Sequence, residues 1–127
     1  FYPDLSIYTK QHELLRELSL KSDCVIVGRC ADYILREQKP VRIFAYADME
    51  SRIKRCMERR PEDENLTEAQ MKKRITEIDR NRAKYYAFFS EQKWGARENY
   101  DLLVNTSGAD IKELSSALCG YLETLFE

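Results

Sequence analysis

Three short apolar runs, each followed by residues with helical spacing, constrain this chain more than any other feature. Cys24-Val25-Ile26-Val27-Gly28 is β-branched and apolar on both faces, as in a strand buried within a parallel sheet. Val41 to Ala47 (VRIFAYA) and Tyr100 to Asn105 (YDLLVN) predict two further strands. A helix-period segment follows each. The order strand, helix, strand, helix, helix, strand, helix implies an α/β fold with a parallel sheet flanked by helices. The 127 residues suit one domain with a modest core. Hydrophobic residues at 43% against 34% charged argue for a folded chain and against disorder.

The helices are marked at their ends. Pro3-Asp4 predicts the start of a first helix that carries Leu5, Tyr8, Leu15 and Leu18 inward and stops near Leu20. A short helix is predicted from Cys30 to Glu37, with Ala31, Ile34 and Leu35 inward and Pro40 as its breaker. Asp48 predicts the cap of a helix running to about Arg60. Pro61-Glu62-Asp63-Glu64-Asn65 reads as a loop. Thr67 with Gln70 is a capping-box pattern that opens a long helix to about Gln92, with Met71, Ile75, Ile78, Tyr85, Tyr86 and Phe89 on its apolar side. Asp110 and Glu113 mark the start of a last helix with Ile111, Leu114, Leu118, Tyr121 and Leu125 on one stripe.

Several function classes drop out. A net charge of −1, from 21 Lys+Arg against 22 Asp+Glu, lacks the basic surplus of a duplex nucleic-acid binder. No apolar run is long enough to span a membrane. Cys24, Cys30, Cys56 and Cys119 include no CxxC pair, and His12 is the single histidine, so no metal ligands are expected. Reduced thiols in a cytoplasmic protein fit these cysteines.

Three groups could carry chemistry. Gly28-Arg29 ends the first predicted strand, where open α/β sheets bind ligands, and a guanidinium can grip phosphate oxygens in a fork. Alternatively, Arg29 pairs with a carboxylate such as Asp32. Arg52, Arg55 and Arg59 share one helix face, with Arg60 adjacent. They suit phosphoryl transfer, or form a solvated face balanced by Glu50 and Glu58. Asp79 and Arg82 share a face at i, i+3. The carboxylate could accept from an exocyclic amine while the arginine holds a phosphate, or the two could form a plain ion pair. Tyr85, Tyr86, Phe88, Phe89 and Trp94 read as core in preference to a base-stacking platform.

In this order, VIVGRCADYIL (25–35), RIFAYADMESRIKR (42–55), Arg59-Arg60, IDRNRAKYY (78–86) and YDLLVNTS (100–107) resemble the cytidylate-kinase-like family. The resemblance covers about Leu15 to Leu125. It implies a P-loop nucleotide-kinase fold that transfers the ATP γ-phosphoryl group to CMP or a related nucleoside monophosphate, with ATP and Mg2+ as cofactors of the intact protein. It implies that Gly28, Arg29 and Arg82 receive the acceptor phosphate and that Asp79 reads the cytosine amine. It also implies a short lid over about residues 59–67, with Arg59 and Arg60 closing on the donor phosphates and Arg52 and Arg55 facing ATP.

Two departures bear on that reading. Cytidylate kinases place another arginine four residues before the aspartate; here Ile75 holds that position and Arg74 lies one step away, which leaves the acceptor open. Family members also carry a glycine-rich phosphate loop after a central first strand. The glycines here are Gly28, Gly95, Gly108 and Gly120, and no GxxxxGK[ST] occurs. The chain, which opens on Phe1, is therefore expected to be the carboxy-terminal portion of a single kinase domain. That portion lacks the central strand and is inactive by itself. Its exposed strand edges would allow homodimerisation. The alternatives are a non-catalytic nucleotide-binding or regulatory domain and a structural interaction domain.

Overall fold

The computed structural model describes residues 3–126. Its sheet has two parallel strands, β1 (Ile43–Tyr46) and β2 (Leu102–Asn105), flanked by helices. The amides of Asp101 and Leu102 donate to Arg42 O (2.8 and 3.2 Å), and the Thr106 amide donates to Tyr46 O (2.7 Å). This nearly constant offset along both strands is the parallel register. At the start of the pair Asp101 Oδ2 accepts from the Arg42 amide at 2.8 Å, with the Arg42 guanidinium Nε 3.6 Å away.

The helices form where the caps predict them. Asp4 accepts from the amides of Ser6 and Ile7 to open α1 (Leu5–Lys21). Asp48 accepts from Ser51 N at 2.7 Å to open α3 (Met49–Arg59). At the start of α4 (Glu68–Ser90) the capping box is reciprocal: Thr67 N donates to Gln70 Oε1 (2.9 Å), and Gln70 N donates to Thr67 Oγ1 (3.2 Å). Asp110 accepts from Lys112 and Glu113 amides to open α5 (Ile111–Leu125).

Several expectations need correction. The run Cys24–Gly28 joins no sheet; Val25 is 94% exposed and Val27 87%. Composition supplies β-propensity, but a strand also needs a neighbouring strand to pair its amides and carbonyls, and among the described residues none pairs with this run in a sheet. The predicted 30–37 helix is shorter than expected. It divides into α2 (Ala31–Ile34) and a 3-10 turn, Arg36–Gln38, although Ala31, Ile34 and Leu35 are buried as predicted. On α1, Tyr8 and Leu15 pack inward as expected while Leu5 and Leu18 remain exposed.

The chain forms two compact units. One comprises the chain up to Ile43 together with Glu77–Leu102; the other comprises Phe44–Thr76 and the chain from Leu103 onward. In the first, Cys30, Ile34, Leu35 and Tyr86 form a buried cluster on which Tyr8, Leu15, Ile26, Tyr33, Tyr85, Phe89 and Trp94 pack. Tyr8 and Phe89 stack with centroids 3.7 Å apart. Phe88 departs from the predicted aromatic core and is 53% exposed. In the second unit, the buried apolar residues are Met71 and Ile75, one turn apart on α4. Among the described residues, no helix is long and apolar enough to cross a membrane.

Candidate functional site

The acceptor-side candidates all fall in the first unit. Gly28, Arg29 and Cys30 take φ values of 73°, 59° and 58°, three successive residues in the left-handed region. Glycine adopts this freely. For Arg29 and Cys30 it costs about 1–3 kcal/mol each and needs surrounding structure to hold it. The hold is visible. Ala31 N donates back to Gly28 O at 3.2 Å, and Cys30 O accepts from Tyr33 N and Ile34 N (3.1 and 3.0 Å). The Cys30 side chain is buried in the core cluster.

Arg29 is exposed at this turn and makes no hydrogen bond or ion pair with the described residues. Its charge is felt at the Tyr85 hydroxyl, where it offsets part of the rise caused by burial. Asp32, the alternative partner weighed for Arg29, is engaged elsewhere: it accepts from the Tyr86 hydroxyl at 2.7 Å. Asp79 and Arg82 lie on α4, Asp79 half-buried and Arg82 exposed. Tyr86 follows them at i+7 and i+4, so all three share a helix face.

A polar network lies under the turn. Tyr86, only 5% exposed, has its hydroxyl within 2.9 Å of Gln92 Oε1 as well as against Asp32. The Tyr100 hydroxyl accepts from Gly95 N at 3.1 Å and also bonds Tyr86. Burial, reinforced by the Asp32 bond, raises the Tyr86 phenol well above its ordinary range. Burial, with the Asp32 charge adding, pushes the Cys30 thiol up to about 12. Both groups are therefore neutral at physiological pH, and Cys30 is a poor nucleophile.

The donor-side candidates all fall in the second unit, and two have structural tasks there. Arg55 Nη1 donates to Thr106 Oγ1 at 2.9 Å, and its Nη2 donates to Thr106 O. Thr106 Oγ1 in turn donates to Tyr46 O (3.0 Å), and the Asp48 amide meets Ser107 Oγ at 2.8 Å. Arg55 thus pins the turn after β2. Arg60 donates to Leu66 O at 3.1 Å across the 59–67 segment, which Glu64 ties to Arg74 at 2.7 Å. Arg52 is half-buried and Arg59 exposed. Sequence reasoning missed the roles of Thr106 and Ser107. Both stand within the YDLLVNTS run, but nothing in that run indicated that an arginine 51 residues earlier would bond there.

Donor chemistry sets a test for the described residues. A Mg2+-bound nucleoside triphosphate needs backbone N–H groups around its phosphates and carboxylates or their water shell around the ion. Among the described residues, no group of three or more His, Cys, Asp or Glu could hold a metal ion. The turn at Gly28 bends back on itself through the Ala31 amide.

The family model for the cytidylate kinase-like family matches residues 3–108, from the start of α1 to the turn after β2. The chain is similar to the crystal structure of an uncharacterized protein from Eubacterium ventriosum. The two share 28% identity over 98% of this chain and 69% of that one, with a TM-score of 0.84. No curated protein matches the chain.

Proposed function

On the premise that this chain belongs to the cytidylate kinase-like family, we propose that it supplies the nucleoside-monophosphate side of a phosphoryl-transfer site, with CMP as acceptor and MgATP as the family's donor. The observation that carries this reading is Arg29: exposed, unpaired among the described residues, and held in a strained turn within the unit that also holds Asp79 and Arg82. Arg29 and Arg82 receive the acceptor phosphate, and the Gly28 turn lets the backbone approach it. Asp79 accepts from the exocyclic amine of the base. Phosphoryl transfer depends chiefly on positioning and charge stabilisation, so these residues act by fixing the acceptor. Arg52 and Arg59 add positive charge on the donor side, and Arg55 and Arg60 hold the elements that carry it. Four free cysteines fit a cytoplasmic setting.

A second reading is a nucleotide-binding domain without catalysis, in keeping with the lack of a GxxxxGK[ST] loop in these 127 residues. Calorimetric titration with CMP and UMP, beside a coupled ATP-turnover assay, separates the two. The acceptor reading expects CMP to bind, and Asp79→Ala to weaken CMP about tenfold while changing UMP less than about twofold. Equal losses for both nucleotides, or no CMP binding at all, would sink it. The chain alone is expected to show no appreciable turnover, and robust turnover would overturn that expectation.

A further inference from the structure

We infer that Asp32 and Tyr86 are a positioning pair that sets the Gly28–Cys30 turn, and with it Arg29, for an acceptor phosphate; the phosphate part rests on the acceptor reading above. The turn needs such a device. Arg29 and Cys30 both stand at positive φ, which neither residue favours. The helix that follows has four residues, too short to be stable by its own hydrogen bonds. Asp32 lies in its first turn, and the 2.7 Å bond from Tyr86 fastens that turn to α4. A hydrogen bond to an ionised carboxylate is stronger than a neutral one, and Tyr86 makes it from a buried position. Tyr86 also shares its face of α4 with Asp79 and Arg82. The same helix face therefore carries the base-reading and phosphate candidates and the anchor of the Arg29 turn.

The pair acts through Arg29 and touches no substrate, so it is tested on both the turn and the ligand. Amide hydrogen exchange on the ligand-free chain reads the turn. Tyr86→Phe keeps the ring in the core and removes the hydroxyl; it is expected to lower protection at Ala31, Tyr33 and Ile34 by about tenfold. Asp32→Ala is expected to do the same, and Asp32→Asn, which keeps an acceptor oxygen, to retain most of the protection. Titration with CMP and with cytidine reads the consequence. Tyr86→Phe is expected to weaken CMP by about five- to tenfold and cytidine by less than about twofold, because only the phosphate depends on Arg29. Arg29→Ala is expected to cut the preference for CMP over cytidine at least as far as Tyr86→Phe does, with Arg82 keeping the remainder.

Unchanged protection at residues 31–34 in Tyr86→Phe would overturn the pair whatever the ligand does. Equal losses for CMP and cytidine would reduce the bond to general structural support and overturn the positioning role. If protection falls as expected but the wild-type chain binds CMP no better than cytidine, the acceptor reading fails while the pair's hold on the turn stands.

Discussion

The two units hold themselves together by different chemistry. In the first, a buried phenol and a buried thiol gather with Ile34 and Leu35 beneath partly buried aromatic rings, and the Tyr86–Asp32 bond ties α2 to α4. In the second, the apolar core is small and much of the order comes from charged donors and acceptors near the surface: Asp48 on Ser51, Arg55 on Thr106, Arg60 on Leu66, Glu64 on Arg74. The contrast extends to the arginines. Arg29 in the first unit has no internal partner among the described residues, whereas Arg55 and Arg60 in the second are occupied in holding backbone. A cluster of arginines in sequence is therefore not a cluster of equivalent cations. A guanidinium bonded to its own chain must break those bonds before it can serve a ligand.

The largest effect tests the apolar side of this comparison. Ile34→Ala opens a cavity in the first unit's buried cluster and should cost about 2–5 kcal/mol of unfolding free energy. Trp94, the single tryptophan, packs on that cluster and gives the readout by fluorescence in a urea titration. A loss below about 1 kcal/mol would mean that the cluster is not what stabilises this unit.

The next tests separate holding arginines from exposed ones. Arg55→Ala removes two bonds to Thr106 from a half-buried site and should cost about 1–3 kcal/mol. Arg59→Ala, at an exposed site, should stay within about 0.5 kcal/mol. Equal costs would erase the distinction. Glu64→Gln should matter less, about 0.2–1 kcal/mol, because the Arg74 guanidinium is half exposed and water screens the pair. Raising the salt concentration should shrink that last difference further.

These side-chain roles mark the limit of what the sequence reveals. Caps are local, so Asp48, Asp110 and the Thr67–Gln70 box were legible: each acts on amides two or three residues away. Apart from the 30–37 segment, the helix spans and the strands β1 and β2 followed from periodicity. The run at Val25 has the same composition as a strand and fails for a non-local reason, the lack of a pairing neighbour among the described residues. The left-handed turn at Arg29 and Cys30 was invisible because neither residue type announces positive φ. The candidates Gly28, Arg29, Asp79 and Arg82 were proposed from motif order, whereas the structural task of Arg55 had no signal there. Its partner Thr106 stands 51 residues away and is brought close by the parallel pairing of β1 with β2.

The last comparison concerns pH, where the units should fail at opposite ends. In the first unit, burial pushes the Cys30 thiol up to about 12 from an ordinary value of 9.0, and raises Tyr86 as well. The unfolded chain gives up these protons first as pH rises. The native state then binds more protons than the unfolded one, and stability falls with pH from about 9 upward. In the second unit, the bond from the Ser51 amide, helped by Ser107 and Arg55, holds the Asp48 carboxyl below its ordinary 3.8. Its contribution is present above that value and is lost as pH falls through the lower native pKa. Urea titrations across pH, followed by Trp94 fluorescence and by the Ser51 amide resonance, report the two units separately. Cys30→Ala should flatten the alkaline slope at Trp94 and leave the acid slope at Ser51 unchanged, while Asp48→Asn should do the reverse. If Cys30→Ala also flattened the alkaline slope read at Ser51, or Asp48→Asn the acid slope read at Trp94, the two units would be unfolding as one, and the difference between them would be chemical but not cooperative.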